Sequence, residues 1–401
     1  MQVAFDLNRL DAAFFADPYP VYRELRERAP VHRMPDGSYF LTAYEDLHAI
    51  YRDAGTWSSD KRAAFKPKYG DSALYEHHTT SLVFNDPPYH TRVRRLLGPS
   101  FTPKALQALQ PRIEGLVERL LERAAGQRSF DLIADFAAAI PVQLIGDMLG
   151  VPQDERGPLR AWSLAILGAL EPTLTPQQLQ AGVQAVEEFK EYLRGLVARR
   201  SGGGDAEILP QLVRASEFSA EPAKEKLSEL ELLHNCIFLL NAGHETTTNL
   251  IGNAVDLLLR HPASMERLQA DPSLLPTAVE EFLRMESSNQ LGNRMATRDT
   301  EVRGVPMPAG TYVHLCIGAA NRDPAQFPDP DRLDLARQPN RHLAFAAGIH
   351  TCAGAALARM EGQVAIGALL RRFRTLEKAG TPARGQRARF RGFVSYPVSV
   401  R

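Results

Sequence analysis

The chain has little of what several classes of protein require. Its 401 residues include only three cysteines, Cys236, Cys316 and Cys352, which are too few and too widely spaced for a disulfide framework. This scarcity is typical of proteins from a reducing compartment. Lysine plus arginine and aspartate plus glutamate are equal at 47 each, so the net charge gives no reason to expect a nucleic-acid partner.

Long apolar runs are also missing. The first twenty residues show no charged stretch followed by an apolar one, so we expect no signal peptide. No uncharged apolar run reaches the roughly 18 residues that cross a bilayer. Internal repeats and low-complexity tracts are absent, as are the glycine motifs of flavin- or nicotinamide-binding domains. We therefore expect a soluble, cytoplasmic protein that binds no membrane and no nucleic acid.

What the sequence does contain is mostly helical patterning. Proline-free runs predict helices over residues 227–260 and 355–374, and further helices are expected at 17–28, 43–53, 89–97 and 274–285. Short strands are predicted at 31–34 and 39–42 as a hairpin, between residues 301 and 315, and between 391 and 400 as a closing strand pair. We predict a mainly α protein with small β-sheets, forming one domain over residues 1–401.

Two segments lack a clear period. Between about residues 55 and 84, aromatic and histidine side chains such as Trp57 and His77 occur without helical or strand spacing. Their aromatic content argues against disorder, and long loops in compact domains are usually functional. We predict a loop that covers a substrate. Residues 202–205 read Gly-Gly-Gly-Asp and predict a flexible surface connection.

The strongest candidate for chemistry is the segment from His342 to Gly354, which contains a lone cysteine, Cys352. The predicted helix begins directly after it. Unpaired N–H groups and the positive end of the helix dipole favour a thiolate at such a position. A thiolate there could ligate a metal or act as a nucleophile, and these residues alone leave both possibilities open. Cys236 and Cys316 are expected to be a buried apolar residue and a strand residue.

The middle of the long predicted helix carries a second candidate. Glycine and threonine are poor helix formers, yet Ala242-Gly243-His244-Glu245-Thr246 lies at its centre. Gly243 would leave room for a ligand beside Glu245 and Thr246. A threonine hydroxyl that bends the helix could hold water or O2 and relay protons. Spacing alone favours equally a core helix whose polar side chains are satisfied.

Several charged residues are weaker signals. His90 and Arg94 are four residues apart on one face of a predicted helix. Together with Arg294 and His350 they could clamp an anionic cofactor, although each alone is more typical of an ordinary surface or core residue.

A glutamate and an arginine three residues apart form another weak signal. Glu281 and Arg284 would ordinarily be a surface ion pair of little energetic value. Arg332 offers a second arginine, which would make a buried three-membered network.

Taken in order along the chain, these segments resemble the motifs of the bacterial cytochrome P450 monooxygenases. The segments are His90-Thr-Arg-Val-Arg94, Ala242-Gly243-His-Glu245-Thr246-Thr247, Glu281-x-x-Arg284 and Phe345-Ala-Ala-Gly348-Ile-His350-Thr-Cys352-Ala-Gly354. Each motif alone is weak, but four in family order are specific, and the resemblance spans residues from about 17 to 400. Ala346 replaces the family's usual glycine, which is a small perturbation. The resemblance implies the cytochrome P450 fold, with a long central helix over the heme and a proximal cysteine loop.

The resemblance also implies roles for single residues. Cys352 is similar to the thiolate ligand of a heme b iron, a ligand that favours O–O cleavage. Glu245 and Thr246 match the acid–alcohol pair that delivers protons to iron-bound oxygen. The residues implied to contact the heme or to hold its propionates are His90, Arg94, Arg294, Phe345, Gly348, His350, Gly354, Ala242 and Gly243. Glu281, Arg284 and Arg332 match a structural triad.

The function implied is insertion of one oxygen atom from O2 into a small, largely apolar organic substrate, by hydroxylation, epoxidation or O-dealkylation. Electrons would come from an external ferredoxin and its reductase, because the chain has no flavin or nicotinamide motif of its own. An acidic partner of this kind could bind the arginines of the last predicted helix, namely Arg359, Arg371, Arg372 and Arg374.

Other functions remain open at this point. A peroxide-driven heme enzyme is the main alternative within the family, which often has a different residue at the position of Thr246 in such enzymes. A heme-binding sensor without turnover would have no need of Glu245 and Thr246. A helical protein with a cysteine nucleophile and no heme is more remote.

The substrate pocket is the least defined part of this interpretation. Family analogy places in it Leu82, Val83, Leu239, Ala242, Asn289, Leu291, Asn293, Phe393 and Val394. Asn289 or Asn293 could hydrogen-bond a polar group on the substrate, or both amides could serve only the turn.

Overall fold

The structure is a computed structural model that describes residues 3–199, 208–216 and 226–401. The predicted connection at residues 202–205 lies outside the described residues. The α-helices are α1 (Ala12–Ala16), α2 (Tyr19–Arg28), α3 (Tyr44–Arg52), α4 (Arg62–Tyr69), α5 (Ala73–Thr80), α6 (Tyr89–Leu97), α7 (Pro103–Ala125), α8 (Ala139–Leu149), α9 (Leu159–Gly168), α10 (Pro176–Arg199), α11 (Ile208–Arg214), α12 (Glu229–Arg260), α13 (Pro262–Ala270), α14 (Leu275–Met285), α15 (Ile317–Ala320) and α16 (Ala355–Arg372). The strands are β1 (Val31–Arg33), β2 (Tyr39–Leu41), β3 (Trp57–Ser58), β4 (Ser129–Asp131), β5 (Leu291–Ala296), β6 (Thr300–Val302), β7 (Val305–Met307), β8 (Tyr312–Cys316), β9 (Leu376–Lys378), β10 (Ala383–Arg384), β11 (Phe393–Ser395) and β12 (Pro397–Val400).

The described residues form two compact units. The first consists of residues 1–58, 113–140 and 246–401, and the second of residues 59–112 and 141–245. The long helix α12 contributes its first half to the second unit and its second half to the first.

A five-stranded sheet and a helix pair organise the first unit. The sheet has the order β1-β2-β8-β5-β3, in which β2 and β8 are parallel and the other neighbours antiparallel. The predicted hairpin of β1 and β2 is confirmed, with Val31 opposite Leu41. Beside it, α14 and α16 share a fully buried apolar cluster with α12 that includes Leu257, Phe282 and Ile366. This packing fixes the helix that follows the cysteine loop.

The prediction of a loop between residues 55 and 84 is wrong, because most of the segment is helical. α4 and α5 occupy it, followed by a 3-10 turn at Leu82–Phe84. Pro67 lies inside α4, which removes the usual local signal for a helix. Contacts between the two helices stabilise them instead, since the ring of His78 on α5 lies 5.5 Å from that of Phe65 and 5.3 Å from that of Tyr69 on α4.

The closing strand pair is also corrected. β11 and β12 form where strands are predicted, but β11 pairs with β10, and β12 pairs with β4 and β9. Asp131 of β4 accepts hydrogen bonds from the backbone of Tyr396 and from the hydroxyl of Ser395. Of the partner strands, β4 lies far away in sequence, so the local strand pattern could not identify it.

One stretch of the described residues is long and apolar enough to be a candidate membrane span. It is Leu132–Leu149, and 72% of it is buried inside the protein. A core helix passes the same test, so this stretch is weak evidence for membrane insertion.

Candidate active site

The cysteine loop ends where the sequence places it, just before α16. Gly354 is the residue that precedes the first turn of the helix, so Cys352 lies at the positive end of the helix dipole. The backbone N–H of Cys352 donates to the carbonyl oxygen of Phe345 across 3.0 Å, which closes the loop on itself. Cys352 is exposed.

The other two cysteines differ from it in burial, although Cys316 also precedes a helix, the four-residue α15. Cys236 and Cys316 are completely buried, and burial raises the pKa of each thiol to about 12. The predictions that Cys236 is a buried apolar residue and that Cys316 ends a strand are confirmed. Cys352 is therefore the one exposed cysteine of the three, and it lies just before the long helix α16.

The backbone of the loop adopts two left-handed conformations. Gly348 has φ +72°, and a Cβ there would overlap the carbonyl oxygen of Tyr51 and lie 3.0 Å from its carbonyl carbon. Only glycine fits this position. Ala346 also has a positive φ, +56°, a conformation that costs an alanine roughly 1–2 kcal/mol.

A buried carboxylate ties α14 to the segment before the loop. Glu281 and Arg284 are both fully buried, and Arg284 donates to both carboxylate oxygens at 2.7 Å. Asn340 donates to the same carboxylate at 3.1 Å. The pair is therefore not a surface ion pair.

The third member of this network is not the arginine that the resemblance indicates. Arg332 is exposed, and only its backbone carbonyl contributes, accepting a hydrogen bond from Arg284 at 3.4 Å. Arg337 instead donates its Nε to the two oxygens of Glu281 at 3.1 and 3.2 Å. The prediction of Arg332 is corrected to Arg337. The two arginines are five residues apart, and sequence spacing alone does not show which side chain turns inward.

The centre of α12 has one face that the protein leaves uncovered. Ala242 is exposed, and Phe238 and Thr246 are half-buried, whereas most of the helix around them is buried. These three residues are four apart in sequence and therefore share one face. Glu245, beside Thr246, is only 8% exposed. An uncovered face on an otherwise buried helix is typical of a ligand site.

Gly243 has a different role from the expected one. A Cβ at this position would overlap the Cδ1 atom of Ile145 on α8. The missing side chain thus makes room for a neighbouring helix in the second unit and not for a ligand. The composition of the sequence does not distinguish these two reasons for a glycine.

Sequence reasoning missed a buried acid on α16. Glu361 is only 3% exposed, and burial raises the pKa of its carboxyl to about 8, although a hydrogen bond with Thr247 of α12 opposes the shift. The side chain is therefore mostly protonated at neutral pH. No motif marks this residue, and the only available signal is an acid within an apolar helix.

The predicted cationic residues are found in both units. In the second unit, His90 is buried and Arg94 half-buried, one turn apart on α6. In the first unit, Arg294 lies on β5 with its guanidinium 5.0 Å from the centre of the Tyr51 ring, and His350 belongs to the 3-10 turn Gly348–His350.

The residues predicted to line the substrate pocket are also found in both units. In the second unit Leu82 and Leu239 are buried, Val83 is half-buried and Ala242 is exposed; in the first, Asn293 and Phe393 are buried and Val394 is exposed. Leu291 is fully buried in an apolar cluster with Tyr22 and Phe40, so it is a core residue and not a pocket residue. The Oδ1 atom of Asn289 is buried and accepts no hydrogen bond from the part of the chain that the structure describes.

Comparison with known proteins gives a consistent result. The family model described as Cytochrome P450 matches residues 9–397. The chain is 36% identical over 373 residues to the biotin biosynthesis cytochrome P450 of Bacillus subtilis, with 91% of each chain covered. It is 38% identical over 397 residues to cytochrome P450 107B1 of Saccharopolyspora erythraea, with 94% of this chain and 93% of the relative covered. The solved structure of P450BioI in complex with hexadec-9Z-enoic acid ligated acyl carrier protein matches 97% of this chain and all of that one, with a TM-score of 0.90 at 33% identity.

Proposed function

Since this chain belongs to the cytochrome P450 family and is one of its monooxygenases, we propose that it inserts one oxygen atom from O2 into a small, largely apolar organic substrate at a heme b held by Cys352. When bound, the heme supplies the iron at which O2 is activated, and a thiolate ligand favours cleavage of the O–O bond. The remaining roles belong to side chains of the chain itself.

The observation that carries the proposal is the contrast between Cys352 and the other two cysteines. Cys352 is exposed at the positive end of α16, whereas burial keeps Cys236 and Cys316 protonated. A soft, negatively charged sulfur on a loop with small neighbours fits a heme iron. Phe345 and Gly348 would give this loop its shape, and Gly354 would let the start of α16 lie close to the porphyrin.

The uncovered face of α12 supports a site for O2 and substrate. Ala242 would lie against the porphyrin, and the half-buried hydroxyl of Thr246 would hold a proton for the reacting oxygen, with the carboxyl of Glu245 as its source. This acid–alcohol pair favours the monooxygenase over a peroxide-driven enzyme, since peroxide brings its own protons. Gly243 would act indirectly, by allowing α12 and α8 to pack closely.

Four cationic or hydrogen-bonding side chains would hold the two propionates of the heme. These are His90, Arg94, Arg294 and His350. Arginine binds carboxylates through two parallel hydrogen bonds, which suits this task.

Electrons would come from an external ferredoxin and its reductase in the cytoplasm. Arg371, Arg372 and Arg374 are exposed at the end of α16 and could bind an acidic partner. Arg359 is less suited, because both sides of its guanidinium fork already bind Glu280.

A polar group on the substrate would bind Asn289. Its buried Oδ1 atom accepts no hydrogen bond from the described residues, and an unsatisfied buried amide costs about 1–3 kcal/mol unless a ligand pairs with it. Asn293 is the second candidate. An Asn289→Ala variant should bind substrate more weakly in a spectral titration, and unchanged binding would contradict this assignment.

The reduced, CO-bound absorption spectrum tests the central proposal. The purified protein, supplied with heme during expression, should show the spectrum of a thiolate-ligated iron. Cys352→Ser should abolish it, whereas the matched variant Cys316→Ser should keep it. Turnover with a ferredoxin, its reductase and isotopically labelled O2 should then place one labelled oxygen atom in the product. A protein that remains colourless, or a Cys352→Ser variant with an unchanged spectrum, contradicts the proposal.

A further inference from the structure

Directly before Glu281, the neighbouring residue Glu280 binds a different set of partners. Its carboxylate accepts hydrogen bonds from Nε of Arg359 at 2.6 Å and from Nη2 of Arg359 at 2.8 Å. It is also 3.2 Å from Nε2 of His342. Both partners belong to the cysteine loop or to the helix after it, so Glu280 connects α14 to both ends of the loop.

The tautomer of His342 follows from its second contact. The backbone N–H of Ala344 donates to Nδ1 of His342 at 3.2 Å, so Nδ1 carries no proton. The proton is therefore on Nε2, which donates to Glu280. The imidazole side chain is only 2% exposed and is held at both nitrogens.

The two partners of Glu280 both cover Phe345. The guanidinium of Arg359 lies 4.6 Å from the centre of the phenyl ring, and the His342 ring lies 5.9 Å from it. A cation over an aromatic face is an attractive contact. Phe345 in turn accepts the backbone hydrogen bond of Cys352. A continuous set of contacts thus runs from Glu280 through Arg359 and His342 to Phe345 and Cys352.

Charge is balanced along the same path. Burial would raise the pKa of Glu280, but the hydrogen bonds from Arg359 and His342 outweigh it and hold the pKa at about 2. The pKa of Arg359 is raised, chiefly by its hydrogen bond to Glu280 and in smaller part by the charge of Cys352. Glu280 therefore carries the negative charge that balances the cation of Arg359 on the helix after Cys352.

We infer that Glu280 is a positioning residue for the Cys352 thiolate. It holds Phe345 against the loop through Arg359 and His342, and it prevents the charge of Arg359 from acting alone on the sulfur. This inference rests on the proposed function, since it concerns the sulfur as an iron ligand. The Glu281 network is separate, because its partners are Arg284 of α14 itself and residues of the segment before the loop, Arg337 and Asn340.

Two variants with opposite charge effects test the inference. Glu280→Gln leaves the cation of Arg359 without its counter-charge, which favours the reduced, more negative iron site and should raise the midpoint potential of the heme. Arg359→Gln leaves the anion of Glu280 instead and should lower it. The double variant should return close to the wild-type potential, because neither charge remains.

A second measurement tests whether Glu280 and Arg359 stabilise the cysteine loop, separately from their effect on the charge near the iron. The rate at which the CO complex loses its thiolate ligand under mild urea should rise severalfold in both single variants and in the double variant, because in each the guanidinium of Arg359 is either lost or no longer held over Phe345 by Glu280. Arg359→Lys keeps the positive charge but cannot form two parallel hydrogen bonds with Glu280. It should therefore raise the rate of thiolate loss and leave the midpoint potential unchanged. Glu118→Gln is the matched control. It removes the exposed ion-pair partner of Arg371, which lies on α16 as Arg359 does, and it should alter neither the rate nor the potential.

The outcomes distinguish the two proposals. If the wild-type protein lacks the thiolate CO spectrum, the proposed function fails. If it shows that spectrum but the two single variants shift the potential in the same direction or not at all, the role of Glu280 is refuted. Should Glu280→Gln take up no heme, the predicted fall in potential for Arg359→Gln decides the question alone.

Discussion

The α-carbon of Gly348 lies so close to the carbonyl group of Tyr51 that no side chain fits between them. Tyr51 lies in the last turn of α3, so this contact holds the cysteine loop against the N-terminal part of the first unit. We expect Gly348→Ala to lower the free energy of unfolding by more than about 2 kcal/mol, because the methyl group meets backbone and the positive φ disfavours alanine.

Urea unfolding followed by circular dichroism measures this loss. Gly195→Ala is the control, since Gly195 lies inside the helix α10 and its added Cβ would make only an ordinary contact, 3.7 Å, with the end of the Arg199 side chain. It should be neutral or should stabilise slightly by about 0.5 kcal/mol. Equal effects of the two substitutions would contradict the contact described here.

Ala346 offers the reverse experiment in the same loop. Its φ of +56° strains an alanine but not a glycine, so Ala346→Gly should stabilise the protein by about 0.5–1 kcal/mol after the added entropy of the unfolded chain is subtracted. Ala358→Gly, in the first turns of α16, should destabilise it by a similar amount. Thermal or urea unfolding of the two variants gives the comparison, and a loss of stability in Ala346→Gly would be inconsistent with the strain.

The two arginines after α14 should differ sharply in their effect on stability. Arg337→Ala removes a donor from the fully buried Glu281 and should cost about 3 kcal/mol. Arg332→Ala keeps the backbone carbonyl that Arg284 uses and removes only an exposed side chain, so it should cost less than about 0.5 kcal/mol. Urea unfolding and heme content per chain are the measurements. The reverse ranking would restore Arg332 to the triad.

The buried carboxyl of Glu361 should make the stability of the protein depend on pH. The carboxyl ionises near pH 4.5 in the unfolded chain but only at about pH 8 in the folded protein, so the unfolded state binds fewer protons between these values. The free energy of unfolding should therefore fall as the pH rises from 4.5 to 8, by up to a few kcal/mol. Glu361→Gln should reduce this slope and should be more stable than wild type at the upper end of the range. Parallel stability curves for the two proteins would show that the acid ionises normally.

A helix or strand could be predicted from the sequence where neighbouring residues determine it, and could not where contacts with distant residues do. The helices α12 and α16 follow from proline-free runs, α14 follows from an apolar run in which Pro276 stands at a tolerated early position, and the position of Cys352 before α16 follows from the same pattern. α4 and α5 could not be predicted in this way, because Pro67 interrupts one and ring contacts with Phe65 stabilise both. The pairing of β12 with β4 depends on residues more than 200 positions away.

In the candidate site, too, the orientation and the role of single side chains depend on structure that sequence spacing does not show. The motifs identify Glu281 and Arg284 correctly as partners, but the direction of Arg332 and Arg337 is set by the turns around them. Gly243 is a glycine because of Ile145, which lies about a hundred residues earlier. Glu280 and Glu361 have no distinctive spacing, and only their buried surroundings make them notable.

The uncovered face of α12 has a consequence for producing the protein. Ala242 and Phe238 leave apolar surface open at the centre of a helix that is otherwise enclosed. On the proposed function a porphyrin covers that surface, so chains made without one expose it to each other. Heme supply during expression should then set the yield of dispersed, non-aggregated protein, and a culture fed with a heme precursor should give more of it than an unfed one.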